Sequence, residues 1–381
     1  MGAEMDSTWW RDIDDLDVDQ RRVYSLPIEG RYLIMGPPGS GKTNALLLRA
    51  VYLRRSGNGN ICVITFGRTL TEFVKQGAAQ NGKLPANQVT TFAEWANVLH
   101  RRLTGNFITL TDSGNHDLSR RERIDAIRIA ISQNNCGEAY YDCILVDEVQ
   151  DFWRDELIVI SMLSRSLFLC GDSRQRIFGR NEGIPTALEL GCEEQRLLFH
   201  YRIGAEICKV ADRIMPDSGK LMDTCQYKEG VLPSSARLHK LNTDREQFSM
   251  LLVSLATQVR AFPDELIGVI VFKNETAQRL ATALARTELK GKFNLHSRQE
   301  RSFDLERPIT IITAHSAKGA EFRAVHVFKF EEFMPRYTRE IAFTTSTRAK
   351  TSLDIYYTGE IDGSLEAAFQ ERRLPSPQEV F

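Results

Sequence analysis

The chain has 381 residues, 42% hydrophobic and 26% charged, with a formal net charge of −1; that is long for one domain and ample for two, each burying its own core. The near-neutral balance does not by itself point to a polyanionic partner, and no apolar run approaches the ~18 residues that a membrane span needs, so no membrane partner is expected. Seven cysteines without a C-x-x-C pair argue against a disulfide framework or a zinc site, and the first ten residues lack the basic and apolar regions of a signal peptide, so an intracellular protein is expected.

Taken in order, strand-length apolar runs alternate with helical patterns. YLIM at 32–35, ICVIT at 61–65, CILV at 143–146 and LFLC at 167–170 read as strands, with helices near 42–55, 69–80, 92–103 and 119–133 between them. The pattern then restarts: strands at 236–241, 266–272, 309–313, 323–328 and 352–357 alternate with helices near 204–214, 244–260, 274–287 and 338–349. Alternation of this kind predicts an α/β fold in which a parallel sheet is covered on both faces. Two tandem P-loop lobes, 1–197 and 198–381, are the economical division.

Residues 36–43 read GPPGSGKT, directly after a strand and directly before a helix. That is the context a G-x-x-x-x-G-K-[ST] phosphate loop requires. Gly36, Pro37, Pro38, Gly39, Ser40 and Gly41 form the loop, whose backbone N–H groups and following helix end suit an anion. Lys42 can reach the terminal phosphates of ATP, and Thr43 offers a hydroxyl to Mg²⁺. The strand at 143–146 delivers the matching acids: Asp147 for the metal and Glu148 to orient and deprotonate the attacking water. Basic residues cluster at Arg54-Arg55, Arg101-Arg102, Arg120-Arg121 with Arg123, and Arg174, Arg176 and Arg180. Singly, such clusters are most simply solvated faces.

The acid segment DEVQD at 147–151 also carries a family likeness. With GPPGSGKT, VITFGRT at 63–69, TTFAEW at 90–95, CGDSRQRIF at 170–178, LLFHYR at 197–202, ITIITAHSAKGAEF at 309–322 and FTTSTRAKTSLDIYYTG at 343–359, it stands in the motif order of the UvrD/Rep/PcrA-type superfamily 1 helicases, which the chain resembles over nearly its whole length. The resemblance implies two RecA-like lobes that hydrolyse ATP at their interface and move 3′→5′ on single-stranded DNA, with RNA as the alternative track. It implies that Gln20 reads the adenine edge, Tyr201 stacks on the base, Glu321 contacts the ribose, and Arg202 reaches the γ-phosphate. Gln175 would couple that phosphate to the strand, and Arg348 would be the arginine finger, worth ~10³–10⁵ in rate where one acts. Phe66, Phe92 and Phe178 fall where the family stacks or flanks bases, with core packing as the rival for each. His315 and Lys318 fall where it contacts the strand.

The chain also departs from that family. His200 stands in place of the usual Asn, Gly179-Arg180 where an aromatic commonly grips DNA, and Ala320 in place of the usual Leu. Only about 55 residues separate TTF from DEVQD, and about 107 separate HYR from the strand at 309–313, too few for the large accessory insertions of the family. A motor core of this length implies a protein partner or self-association. The second function class is a regulatory ATPase subunit of a nuclease-containing repair or genome-defence complex, with Trp9-Trp10 either its anchor or part of a flexible or self-packed N-terminus.

Overall fold

The computed structural model describes residues 13–67, 71, 75, 84–175, 182–228, 233–296, 306–333 and 339–370. The expected helix near 69–80 falls almost wholly outside these residues, as do Phe178, Gly179, Arg180 and Trp9-Trp10. The chain divides into two compact units, Met1–His200 and Tyr201–Phe381.

In the first unit, strands β1 (Arg31–Met35), β2 (Ile61–Thr65), β3 (Val89–Thr91), β4 (Cys143–Val146), β5 (Leu167–Gly171) and β6 (Glu193–Arg196) form one sheet in the order β3-β2-β4-β5-β1-β6. All of its pairings are parallel. Every residue of β2, β4 and β5 is buried, as a sheet covered on both faces demands. Alternation along the strands splits the core in two. Leu33, Ile64, Ile144, Val146 and Leu169 face one cluster; Tyr32, Ile34, Val63, Leu145 and Phe168 face the other.

Helix α1 (Val18–Tyr24) precedes β1, and α2 (Lys42–Arg55) packs Leu46, Leu47 and Ala50 into the second cluster. Helices α3 (Phe92–Thr104), α4 (His116–Gln133), α5 (Arg154–Ser161) and α6 (Gly183–Glu189) follow and serve the other face. Local chemistry fixes their ends. Thr91 caps α3 by accepting from the Glu94 N–H at 3.2 Å, and Gly105, at φ 80°, lets the chain leave it. Asn115 caps α4 through the Leu118 N–H.

In the second unit, β7 (Ser235–Leu241), β8 (Ile267–Val271), β9 (Phe293–Leu295), β10 (Ile309–Thr313), β11 (Phe322–Val327) and β12 (Ala349–Thr358) form a second parallel sheet, ordered β7-β12-β11-β8-β10-β9. Its helices are α7 (Ala205–Ile214), α8 (Asp244–Ala261), α9 (Asn274–Leu284), α10 (Arg339–Ser346) and α11 (Gly363–Phe369). Gly268 on β8 lets the Phe322 ring lie across the strand: a Cβ there would stand 2.6 Å from that ring. Beneath α8 runs a polar set within the core. The ring nitrogens of His326 bond the Tyr356 hydroxyl at 2.9 Å and Gln258 Oε1 at 2.7 Å, and His239 bonds Asp354 at 2.9 Å.

The fold is therefore α/β with two parallel six-stranded sheets, the class that the alternating pattern predicts. Elements absent from the sequence reading are short or polar: β3 and β9 have three residues each, and β6 is Glu-Glu-Gln-Arg. Among the described residues no helix is long and apolar enough to cross a membrane.

Candidate functional site

Sheet order brings the chemistry together. β5 lies between β1 and β4, with Met35 level with Gly171 and Val146 level with Leu169. The residues leaving these three strands therefore meet at one end of the sheet: the loop 36–41, Asp147-Glu148, and Asp172. Carboxyl ends of parallel strands are where open α/β sheets place ligands.

The loop is shaped by its glycines. Gly39 and Gly41 sit at φ 79° and 85°, where other residues are strained. A Cβ on Gly41 would meet Gln20 Nε2 at 2.7 Å, and one on Gly36 would stand 2.6 Å from Ser40 Oγ and 3.1 Å from Leu197. The buried Ser40 hydroxyl has no protein partner among the described residues. Such a cradle of close backbone around an unsatisfied donor fits a phosphate. Lys42 is buried, its ammonium donating to the Gly36 and Pro37 carbonyls at 2.8 and 2.9 Å. Pro37 and Pro38 withhold two N–H groups from the loop, leaving its donors to the residues after them.

Across from the loop, Thr43 donates its hydroxyl to Asp147 Oδ2 at 2.7 Å, while Asp147 Oδ1 accepts from the Glu148 N–H at 2.9 Å. Burial, with Glu148 alongside, pushes the Asp147 carboxyl up to about 6, against the opposing hydrogen bond from Thr43 and the charge of Lys42. Burial also pulls the Lys42 ammonium below its ordinary range, opposed by Asp172, Glu148 and Asp147. Charges held this far from water favour an opposite charge at close range, which a polyphosphate and a divalent cation both bring. Thr43 and Asp147 supply the hard oxygens such a cation takes.

Glu148 adopts the left-handed conformation at φ 54°, unusual for a side-chain-bearing residue and costly unless its surroundings fix it. Gln150 does so: its Nε2 donates to a Glu148 carboxylate oxygen, and its Oε1 accepts from the Asp172 N–H at 3.1 Å. Gly171 and Gly183 let this segment pack closely. A Cβ on Gly171 would stand 2.9 Å from Gln150 Oε1, and one on Gly183 1.8 Å from the Val149 carbonyl. Gln150 lies inside the motif yet was not among the expected site residues; only its spacing from Glu148 signals it.

Gln175 is buried and donates to Asp172 Oδ2 at 3.0 Å, while the Arg174 side chain pairs with Asp172 at 3.3 Å. Although burial pushes the Asp172 carboxyl up, Arg174, Lys42 and these hydrogen bonds outweigh it and hold it below the usual carboxylate range. Asp172 thus links Gln175, Gln150 and the charge of Lys42. It too was absent from the expected set.

Gln20 donates to the Ser40 carbonyl at 2.9 Å and accepts from the Asp17 N–H at 3.2 Å. Its amide, expected at adenine, braces the phosphate loop here. Phe66 is half-buried, its ring meeting Phe152 edge-on at 5.7 Å. For Phe92 the structure shows the packing that the sequence reading held as the rival to base contact. Only 7% exposed, it packs on Trp95 and Phe152 in the core, so its ring supports Phe66's neighbour rather than lying open to a base.

The second unit gathers its own candidates. Arg202 pairs with Glu321, so the two residues expected at the γ-phosphate and the ribose contact one another. Arg348 is buried, with Nε donating to the Thr344 carbonyl at 3.0 Å and Nη1 to the Ala320 carbonyl at 3.3 Å. Tyr201 and His315 are half-buried. Lys318, expected at a strand phosphate, is buried at 6% exposure.

With this geometry in hand, residues 23–180 match the AAA domain family and residues 273–360 the UvrD-like helicase C-terminal domain family. No curated protein matches the chain in sequence. Among solved structures it is similar to the PRRSV helicase, at 12% identity and a TM-score of 0.43, over 88% of this chain and 54% of that one. It is also similar to the C-terminal domain of a possible DNA helicase from Lactobacillus plantarum WCFS1, at 19% identity and a TM-score of 0.33, over 43% of this chain and 91% of that one. The chain thus spans about half the length of the first of these proteins.

Proposed function

We propose that this chain, by its domain families a UvrD-like superfamily 1 helicase, is an ATP-driven motor that moves 3′→5′ along single-stranded DNA. The observation that carries this reading is the convergence of the phosphate loop with Asp147, Glu148 and Asp172 at the ends of β1, β4 and β5. A site of that kind binds a nucleoside triphosphate and activates water; it has no other evident chemistry.

In this proposal the loop's N–H groups and Lys42 hold the β- and γ-phosphates, and Thr43 and Asp147 hold Mg²⁺, which when bound neutralises charge on the phosphoryl oxygens. Glu148, fixed by Gln150, orients the attacking water and accepts its proton. Gln175 senses the phosphate through Asp172. Arg202 and Arg348 serve the developing charge, and Tyr201 and Glu321 the base and ribose. Phe66, with His315 and Phe178, serves the strand, where stacking is worth ~1–3 kcal/mol per base and tolerates any sequence.

The test is ATPase activity of the purified chain with single- and double-stranded DNA and RNA. Stimulation by single-stranded DNA above the other three supports the motor; equal stimulation by RNA moves the track. Turnover indifferent to every nucleic acid refutes the motor and favours a regulatory ATPase.

A further inference from the structure

Arg120 lies on α4, between the motif at 90–95 and the acid segment, and is 8% exposed. Its Nε donates to Glu156 Oε1 at 2.8 Å, and Nη2 donates to the other carboxylate oxygen. Nη2 also donates to the Asp151 carbonyl at 3.2 Å. The guanidinium carbon lies over the Trp153 ring at 4.3 Å and over the Phe66 ring at 5.3 Å. Glu156 completes the arrangement by accepting from the Trp153 N–H at 2.9 Å, so the carboxylate is itself fixed by the start of α5.

One guanidinium therefore touches both the aromatic ring assigned to the strand and the last carbonyl of the acid segment. A forked, buried ion pair cannot swing without giving up charge-assisted hydrogen bonds, so the group over Phe66 is held in place. An ion pair that merely fastened α4 to α5 would need neither the Asp151 carbonyl nor the Phe66 ring.

We propose that Arg120 is a positioning residue: it sets the Phe66 ring for the nucleic-acid strand and ties that ring to the segment Asp147–Asp151, so that strand binding speeds ATP turnover through it. The proposal rests on the reading of the chain as a strand-stimulated ATPase. Lysine at this position keeps the charge and one contact to Glu156 but loses the fork and the flat face over the rings.

The experiment titrates ATPase activity with oligothymidylate in the parent, Arg120→Lys, Phe66→Ala and the double variant. Basal turnover of Arg120→Lys should stay within about two-fold of the parent, while the oligothymidylate needed for half-maximal stimulation rises roughly ten-fold, a loss of the size of one stacked base. In the Phe66→Ala background the same substitution should add less than about two-fold, because residues acting through one contact are not additive. Should Arg120→Lys fail to fold, Glu156→Gln, which keeps an acceptor for the Trp153 N–H, carries the same expectation. A strand response in Arg120→Lys equal to the parent's overturns the proposal alone. So does an effect that adds in full to Phe66→Ala, since the pair would then be a structural brace. A parent that ignores oligothymidylate at every concentration overturns the motor reading, and this proposal with it.

Discussion

The Thr43 hydroxyl and Asp147 Oδ2 lie 2.7 Å apart although 104 residues separate them in the chain. This one hydrogen bond joins the first turn of the phosphate-loop helix to the acid strand, and it is among the interactions that restrain the Asp147 carboxyl from rising further. Thr43→Val keeps the shape and removes the donor. It should leave a buried carboxyl oxygen unsatisfied, at a cost of about 1–3 kcal/mol, and remove a Mg²⁺ ligand. Urea unfolding without metal should show the loss of stability, and Mg²⁺-dependent ATPase should collapse. Thr43→Ser should restore both; a serine variant as poor as the valine one would mean that the methyl group, not the hydroxyl, matters.

Glu148 stands beside that pair in a strained backbone held by Gln150. Glu148→Gln should retain ATP binding while turnover falls at least the ~10²-fold typical of losing a general base. Near-normal ATPase in this variant assigns the proton transfer elsewhere. Gln150→Ala should lower turnover less, with affinity unchanged.

Arg348 donates to the Thr344 and Ala320 carbonyls, so its guanidinium is oriented within the second unit before any ligand is considered. If it acts as an arginine finger, its interaction belongs to the transition state. Arg348→Ala should then cut kcat by about 10³-fold or more with little change in nucleotide affinity. An affinity loss without a turnover loss makes Arg348 a binding residue only.

His326 offers a readout independent of the nucleotide. Burial pulls its imidazole down to about 4, and the neutral ring holds Tyr356 and Gln258. The unfolded chain protonates this group near its ordinary value of ~6.5. Native protein therefore binds fewer protons than unfolded protein between these values, and His326 stabilises the fold fully above pH ~6.5, less as pH falls towards 4. In urea titrations His326→Gln should be less stable than the parent at pH 7.5, and the gap should narrow steadily between pH 6.5 and 4. A gap independent of pH would show that the ring is not buried neutral.

Much of this was legible in the sequence because the informative segments obey two strong constraints. Buried parallel strands must be continuously apolar, as in Ile61–Thr65 and Cys143–Val146, and a phosphate loop must have its glycines in place. β6 was not legible, since Glu193–Arg196 pairs with β1 through backbone alone and none of its side chains is buried. Asp172 and Gln150 were missed for another reason. Their importance comes from the sheet order β4-β5-β1, which local pattern does not encode. Phe92 and Lys318 are named from motif position alone, and the burial of each is set by packing that local pattern does not encode.

The last prediction follows from what lies between the motifs. Between β3 and β4 the described chain is spent on α3 and α4, whose buried residues join the first unit's core. Between α7 and β10 it is spent on β7, α8, β8, α9 and β9, all parts of the second unit's sheet and its coverings. Translocation asks only that a motor grip one strand and release it. Separating a duplex costs roughly 1.4 kcal/mol of stacking per base-pair step on average, and something must hold the duplex against that load. Among the described residues neither segment builds a separate body for this. The purified chain should therefore unwind long or blunt duplexes poorly, even where single-stranded DNA stimulates its ATPase, and productive unwinding should need a partner subunit or self-association. A strand-displacement assay on a tailed duplex, with the chain alone over a wide concentration range and its oligomeric state followed by light scattering, decides the matter. A steep rise of unwinding with concentration, matched by assembly, supports self-association; efficient and processive unwinding by a demonstrated monomer shows that two bare lobes suffice.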